Sequence, residues 1–355
     1  MVQASPSVMQ IESVIHHSKE VHQTSMEENK KLPLLRRNSS LPDLAEIDFY
    51  LLESNCEGNR LQATVSTFGA SLISVKHEVN GVFEELTLNF PDPKDIDKLV
   101  DKELNLKYGA TCGRTAGRIA KGKFSVPDLD QFTESFGSNI EFQLEKNNGE
   151  NNLHGGSRGY DQRIWNAEIK KDYTQNLVTK DNGIENKWAI GVLFSRISED
   201  GEEGYPGRIK VEAGYYITAD SELIFTWRAY FVEKHSSNMP TPINLCNHTY
   251  WNLSGDFKQP TIANHKLKLN CAKYIPLEKD LIPTKEVRSV ESTILDFREL
   301  STIGDDERLS GMINAGGRPG IEHPFVVDGS EDFEVKMRDV AELQSDTRRM
   351  TIRST

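Results

Sequence analysis

An all-β fold, a large β-sandwich, is predicted for residues 45–355, behind a polar tail over 1–44 that is expected to be disordered. Three observations predict it. Apolar residues recur at every second position in several runs, helical 3.6-residue periodicity is nearly absent after the tail, and Gly, Pro, Asn and Asp punctuate the runs at short intervals. Leu61, Ala63 and Val65 alternate with Gln62 and Thr64, and Trp188, Ile190, Val192 and Phe194 repeat the pattern. The longest case is a pair. Ile209, Val211, Ala213, Tyr215 and Ile217 alternate, Ala219-Asp220-Ser221 turns the chain, and Leu223, Phe225, Trp227, Ala229 and Phe231 alternate back. That pattern is a long β-hairpin with one face buried. A domain of about 300 residues buries roughly 75% of its unfolded surface, enough for a sandwich core.

The tail is poor in aromatics and mixed in charge, with a short helix expected around Ile11 to Val21. Within it, Arg36-Arg37-Asn38-Ser39-Ser40-Leu41-Pro42 places arginines three and four residues before Ser40 and a proline two after. Once phosphorylated, Ser40 would suit an arginine-lined phosphoserine-binding adaptor; a solvated linker carries such short motifs by chance more often. A net charge of −12 argues against nucleic-acid and membrane-surface partners. No apolar run nears the roughly 20 residues that span a bilayer. Cys56, Cys112, Cys246 and Cys271 lack C-x-x-C spacing and read as reduced thiols of a cytoplasmic protein. The N-glycosylation sequons at Asn247 and Asn252 flank His248, a pocket candidate that a glycan would obstruct, which again favours the cytoplasm.

Four stretches carry residues suited to chemistry. In CGRTAGRI, Arg114 and Arg118 lie four apart with glycines before each; they serve either to grip paired oxygens or as surface salt-bridge partners. In NLHGGSRGYDQRIW, His154 precedes two glycines, which either let a ligand approach closely or form a tight turn. In NLCNHTYWNLSG, Asn247, His248 and Asn252 interrupt an aromatic run, so they either make a structural hydrogen-bond network or face a polar ligand. In GIEHPF, Glu322 sits beside His323 ahead of an apolar strand, a ligand contact or a strand-edge charge pair. His154, His248 and His323 have no ligand-type spacing, so no metal is expected. The chain also lacks a phosphate loop and a G-x-S-x-G elbow.

Taken together and in order, GRTAGRIAKGKF, NNLHGGSRGYDQRIW, TPINLCNHTYWNLSG, YIPLEKDLIPT and ILDFREL resemble the aldose 1-epimerase (galactose mutarotase) family from about Asp48 onward. The resemblance implies a galactose mutarotase-like β-supersandwich that interconverts the α- and β-anomers of free hexoses such as glucose and galactose without a cofactor. It implies that Arg118 and His154 bind sugar hydroxyls and that His248 is the general acid. Glu322 falls where the family usually has a hydroxyl-gripping aspartate, and Gly117 where many members have asparagine. The resemblance also implies a glutamate base in a C-terminal strand that residues 1–355 do not include. The alternative is therefore a sugar-binding or regulatory protein without turnover. A sheet ending at Thr355 is further expected to lack its next strand.

Overall fold

The computed structural model describes residues 2–13, 30–31, 47–89, 107–127, 139–173, 187–232, 240–258, 261–304, 309, 320–329 and 337–355. Of the helix expected around Ile11 to Val21, Ile11 to Ser13 belong to a strand instead and the rest lies outside the described residues, as do Ser40 and most of the tail.

Two sheets build the sandwich. The larger has nine strands in the order Asn166–Tyr173, Trp188–Ser198, Ile209–Thr218, Glu222–Phe231, Val2–Ser13, Arg348–Ser354, Arg338–Gln344, Lys266–Leu269 and Ser301–Thr302. The smaller has five, in the order Lys30–Lys31, Phe49–Glu53, Leu61–Ser66, Ser71–Val79 and Val82–Glu85. The alternating residues meet between them. Leu52, Leu61, Ala63, Val65 and Val75 of the smaller sheet pack in one cluster with Val192, Phe194, Val211, Ala213 and Tyr215 of the larger.

The hairpin forms with Ile217 opposite Leu223, as the alternation predicts. One face alone was expected to be buried. Instead, Tyr216 and Ile224 on the other face are buried against Ala189 and Met337. The middle of the large sheet is thus covered on both faces.

The expected tail also differs in part. The backbone of Val2–Ser13 forms a strand between Glu222–Phe231 and Arg348–Ser354, so the last strand has a neighbour on each side. Pairing requires only main-chain donors and acceptors, which a polar sequence supplies as well as an apolar one. Pro6, which has no N–H, falls within the register shift between Ala4 and Ser7.

The last strand is also tied to the smaller sheet. Arg348 is fully buried; its guanidinium donates to the Leu253 carbonyl at 3.0 Å, pairs with Glu84 and donates through Nε to His77 Nδ1 at 3.3 Å. His77 Nε2 in turn meets Asn59 Oδ1 at 2.7 Å. An imidazole accepting at Nδ1 and donating at Nε2 is neutral. Burial first, then the Arg348 charge, lowers the His77 pKa to about 4.

A native pKa near 4 against about 6.5 unfolded means that the unfolded chain holds the extra proton between those values. This contribution to stability is complete above about pH 6.5 and declines as pH falls toward 4, at up to about 1.4 kcal/mol per pH unit. From pH 7 to pH 5, wild type is therefore expected to lose more stability than His77→Gln, read from urea midpoints at constant m. Equal losses in the two proteins would contradict this protonation state.

Candidate active site

The site is assembled from segments remote in sequence. The short strand Thr111–Cys112 pairs antiparallel with Cys246–Asn247, setting Cys112 opposite Cys246 and Thr111 opposite Asn247. One step further, His248 N donates to the Ala110 carbonyl at 2.9 Å, and Gly109 N donates to the His248 carbonyl at 3.0 Å. A second short ladder pairs Arg118–Ile119 with Asn152–Leu153 and delivers His154 immediately after it. Both histidines are anchored by backbone pairing, and their rings meet edge to face with centroids 5.1 Å apart.

His154 is clamped through Gly117. Its backbone N–H donates to the Gly117 carbonyl at 3.0 Å, and its Nδ1 accepts the Gly117 N–H at 3.2 Å. With Nδ1 accepting, the proton of the neutral ring lies on Nε2. Burial, followed by the charges of His248, Lys107 and Arg118, lowers the His154 pKa to about 3. His154 is thus a neutral ring with one donor to offer, the property of a hydroxyl binder. Gly117 has φ +80°, a conformation that glycine adopts freely and asparagine tolerates.

Of the two readings of the glycines after His154, the structure bears out the tight turn: Gly156 N donates to the Leu153 carbonyl at 3.2 Å, with His154 and Gly155 both at positive φ. A Cβ on Gly155 would lie 1.8 Å from the Gly113 carbonyl oxygen, and one on Gly156 would lie 2.2 Å from Glu203 Oε2. They permit close packing of the loop on the strand segment beneath it. His154 itself is held at φ +51°.

His248 stands on the other wall, with its ring 5.1 Å from that of Tyr250, which in turn meets Tyr108 edge to face at 5.8 Å. Burial lowers the His248 pKa and Lys107 acts in the same direction; a bond to its own backbone, Glu322 and Asp161 oppose them. The imidazolium therefore gives up its proton more readily than a free imidazole. Glu322 is exposed, and its charge acts to raise the pKa of His248, Tyr250 and His323. His323 turns elsewhere and packs edge to face on Tyr274 at 5.5 Å.

The arginine pair divides. Arg114 is 1% exposed and donates to the carbonyls of Pro206, Gly207 and Glu199 and to the hydroxyls of Ser198 and Thr241, so it is structural. Arg118 is half-buried and aimed by Asn148, whose Oδ1 accepts its Nε–H at 3.1 Å. The asparagines are structural as well. Asn247 donates to the Gly109 carbonyl and Tyr215 Oη while its own oxygen accepts from Thr249. Asn252 caps Ser254 in the same way.

Sequence reasoning missed four features. Lys107 and Asp161 form an ion pair at 2.6 Å with side chains only 6% and 1% exposed, and their charges act on both histidines or on His248. Asn148 and the Tyr108–Tyr250 pair carry no local signal. Cys112, Cys246 and a ring nitrogen of His154 place their ligand atoms within 4.8 Å of one another, a cluster that linear spacing hides.

Comparison with known proteins identifies the family and the fold. Residues 54–355 match the sequence profile of the family described as aldose 1-epimerase. The chain is 35% identical to galactose mutarotase of Homo sapiens over 228 residues, 63% of this chain and 53% of that protein, and 29% identical to aldose 1-epimerase of Escherichia coli over 276 residues, 76% and 66% of the two. It spans about half the length of the first of these. Among solved structures, a galactose 1-epimerase from Lactobacillus acidophilus superposes with TM-score 0.63 at 23% identity, over 90% of this chain and 77% of that one. An aldose epimerase homologue from C. elegans gives TM-score 0.61 at 24% identity, over 83% and 75%. These two establish the shared fold. With the profile running unbroken across the ladders that carry Arg118, His154 and His248, the chain belongs to the aldose 1-epimerase family.

Proposed function

We propose that the site binds a free hexose, glucose or galactose, and that the protein interconverts its anomers by acid–base ring opening. The observation that carries this reading is the edge-to-face pair of half-buried imidazoles, His154 held neutral by Gly117 and His248 with its pKa lowered by burial. Two such rings in one pocket can divide the labour of hydroxyl binding and proton transfer.

Anomerisation requires the C1–O5 bond to break and reform on the other carbonyl face. A carboxylate base takes the C1 hydroxyl proton, the C1–O5 bond breaks, and an acid protonates O5 as it leaves. After rotation about C1–C2 the transfers reverse, so acid and base are restored. His248 is assigned the proton to O5, and positioned transfer of this kind contributes on the order of 10²–10⁴ in rate. Arg118, His154 and Glu322 are assigned the hydroxyls. Glu322 carries the charge of an aspartate on an arm longer by one methylene, which alters the fit to a particular hydroxyl. Asp161 is committed to Lys107 and stays out of the cycle. The cycle needs no cofactor. Free thiols at all four cysteines and the sequons flanking His248 support a cytoplasmic setting. Among the described residues no helix is long and apolar enough to cross a membrane.

The test is polarimetry of freshly dissolved α-galactose and α-glucose with the protein, beside calorimetric titration of each sugar. Acceleration above the spontaneous rate is expected. Binding without acceleration would leave a sugar-binding protein, and neither would refute the assignment.

In that protein His248→Gln is expected to lower kcat by roughly 100-fold or more with a much smaller change in KM, because the transfer to O5 occurs in the transition state. A near-normal kcat would remove His248 as the acid. Arg118→Ala and Glu322→Gln are expected to raise KM and weaken sugar binding by about tenfold, the scale of one charged hydrogen bond. Unchanged sugar affinity in both would place the hydroxyl contacts elsewhere.

A further inference from the structure

Cys112 and Cys246 are direct partners across the two-residue ladder that supports His248. Cys112 is fully buried, Cys246 is half-buried, and each acts on the other's pKa, Cys112 held up and Cys246 held down. His154 completes a triangle in which the two sulfurs and a ring nitrogen lie within 4.8 Å of one another. Sugar chemistry as assigned above uses neither sulfur.

We propose that Cys112, Cys246 and His154 form a binding site for a thiophilic metal ion, with zinc(II) the fitting class, and that metal there competes with sugar in the adjoining pocket. Two thiolates and an imidazole are a soft donor set that favours Zn(II) and Cu(I) over hard cations such as Mg²⁺. A tetrahedral zinc with bonds of about 2.3 Å to sulfur keeps two sulfurs roughly 3.8 Å apart. Closing from within 4.8 Å therefore takes about 1 Å of side-chain adjustment on a fixed backbone ladder. The fourth position remains open toward solvent or a hydroxyl.

The binding step is balanced without redox chemistry. One divalent ion displaces two thiol protons to the medium and takes the lone pair of a neutral imidazole, so the centre formed is uncharged. The nearby cation Lys107 is already neutralised by Asp161, which limits the repulsion an incoming ion meets; Arg118 adds some. His154 Nδ1 is engaged by the Gly117 N–H. A metal at Nε2 requires the ring proton to move from Nε2 to Nδ1, which removes the donor offered to sugar and breaks the bond from the Gly117 N–H; a metal at Nδ1 displaces that N–H directly and frees the ring that Gly117 positions. Competition follows in both cases. That clause rests on the sugar-binding reading, whereas the metal site does not.

The experiment uses cobalt(II) as the spectroscopic probe. The full chain, reduced and stripped with a chelator, is titrated with Co²⁺ without oxygen. One equivalent is expected to produce a thiolate-to-cobalt charge-transfer band and tetrahedral ligand-field absorption, both abolished by excess Zn²⁺. Cys112→Ser and Cys246→Ser are expected to weaken Co²⁺ binding on the order of 100-fold or more, and Cys56→Ser, remote from the cluster, to leave it unchanged. If either serine variant folds poorly by circular dichroism, His154→Gln provides the same loss with both thiols present. No charge-transfer band, or a band unaffected by these substitutions, would overturn the site and leave a pair of packed core thiols. Galactose binding is measured first on the metal-free chain. If it binds there, it is expected to lower the apparent Co²⁺ affinity several-fold, and cobalt binding indifferent to bound galactose would overturn the competition alone.

Discussion

Two opposite charges buried side by side, Lys107 and Asp161, set the constraint on which the site depends. Neither can be left alone in the interior; breaking such a pair typically costs about 3–5 kcal/mol, because one charge remains uncompensated. Their separation of 2.6 Å fastens the segment entering strand Thr111–Cys112 to the turn that follows His154. Around this fastening, Tyr160 N donates to the Gly113 carbonyl and Trp165 Nε1 donates to the Tyr160 carbonyl, so the whole turn is drawn onto the strand segment. The glycines at 155 and 156 make that approach sterically feasible. The pair also shapes the electrostatics. Lys107 lowers both histidine pKa values, while Asp161 pulls His248 back up, which helps hold the two rings at different proton affinities.

The polar residues around the rings separate by whether their valences are already filled. Arg114 spends its guanidinium on carbonyls and hydroxyls, and Asn247 and Asn252 close local turns, so they shape the walls. Arg118 is held through Nε by Asn148 and His154 through Nδ1 by Gly117, which leaves each with donors to spare. The two thiols of the ladder lie with the neighbouring imidazole so that their ligand atoms are within 4.8 Å of one another.

The large sheet shows a related economy. Strand Arg348–Ser354 brings the fully buried Arg348 to the smaller sheet, and its two edges are taken by Arg338–Gln344 and by Val2–Ser13. A strand drawn from the start of the chain can fill that position because ladder bonds depend on backbone groups rather than on a particular side-chain pattern. Arg353 adds a side-chain tie to Glu222 across the sheet.

The all-β class, the hairpin at 209–231 and the four site segments were legible in the sequence because each leaves a local trace: alternation of period two, a turn tripeptide, or a dense motif such as CNHTYWNLSG. Arg118, His154, His248 and Glu322 could be singled out from those motifs and their order. What local patterns could not reveal is which of two similar residues is buried among acceptors. Arg114 and Arg118 share a motif, yet one is surrounded by acceptors from residues 198–241 and the other is not. The second buried face of the hairpin, the strand at Val2–Ser13, the Lys107–Asp161 pair and the Cys112–His154–Cys246 cluster were decided by tertiary structure alone. Each joins groups dozens or hundreds of residues apart, and what unites them is burial: a charge, thiol or backbone edge must find its partner wherever the packed sheets bring one within reach.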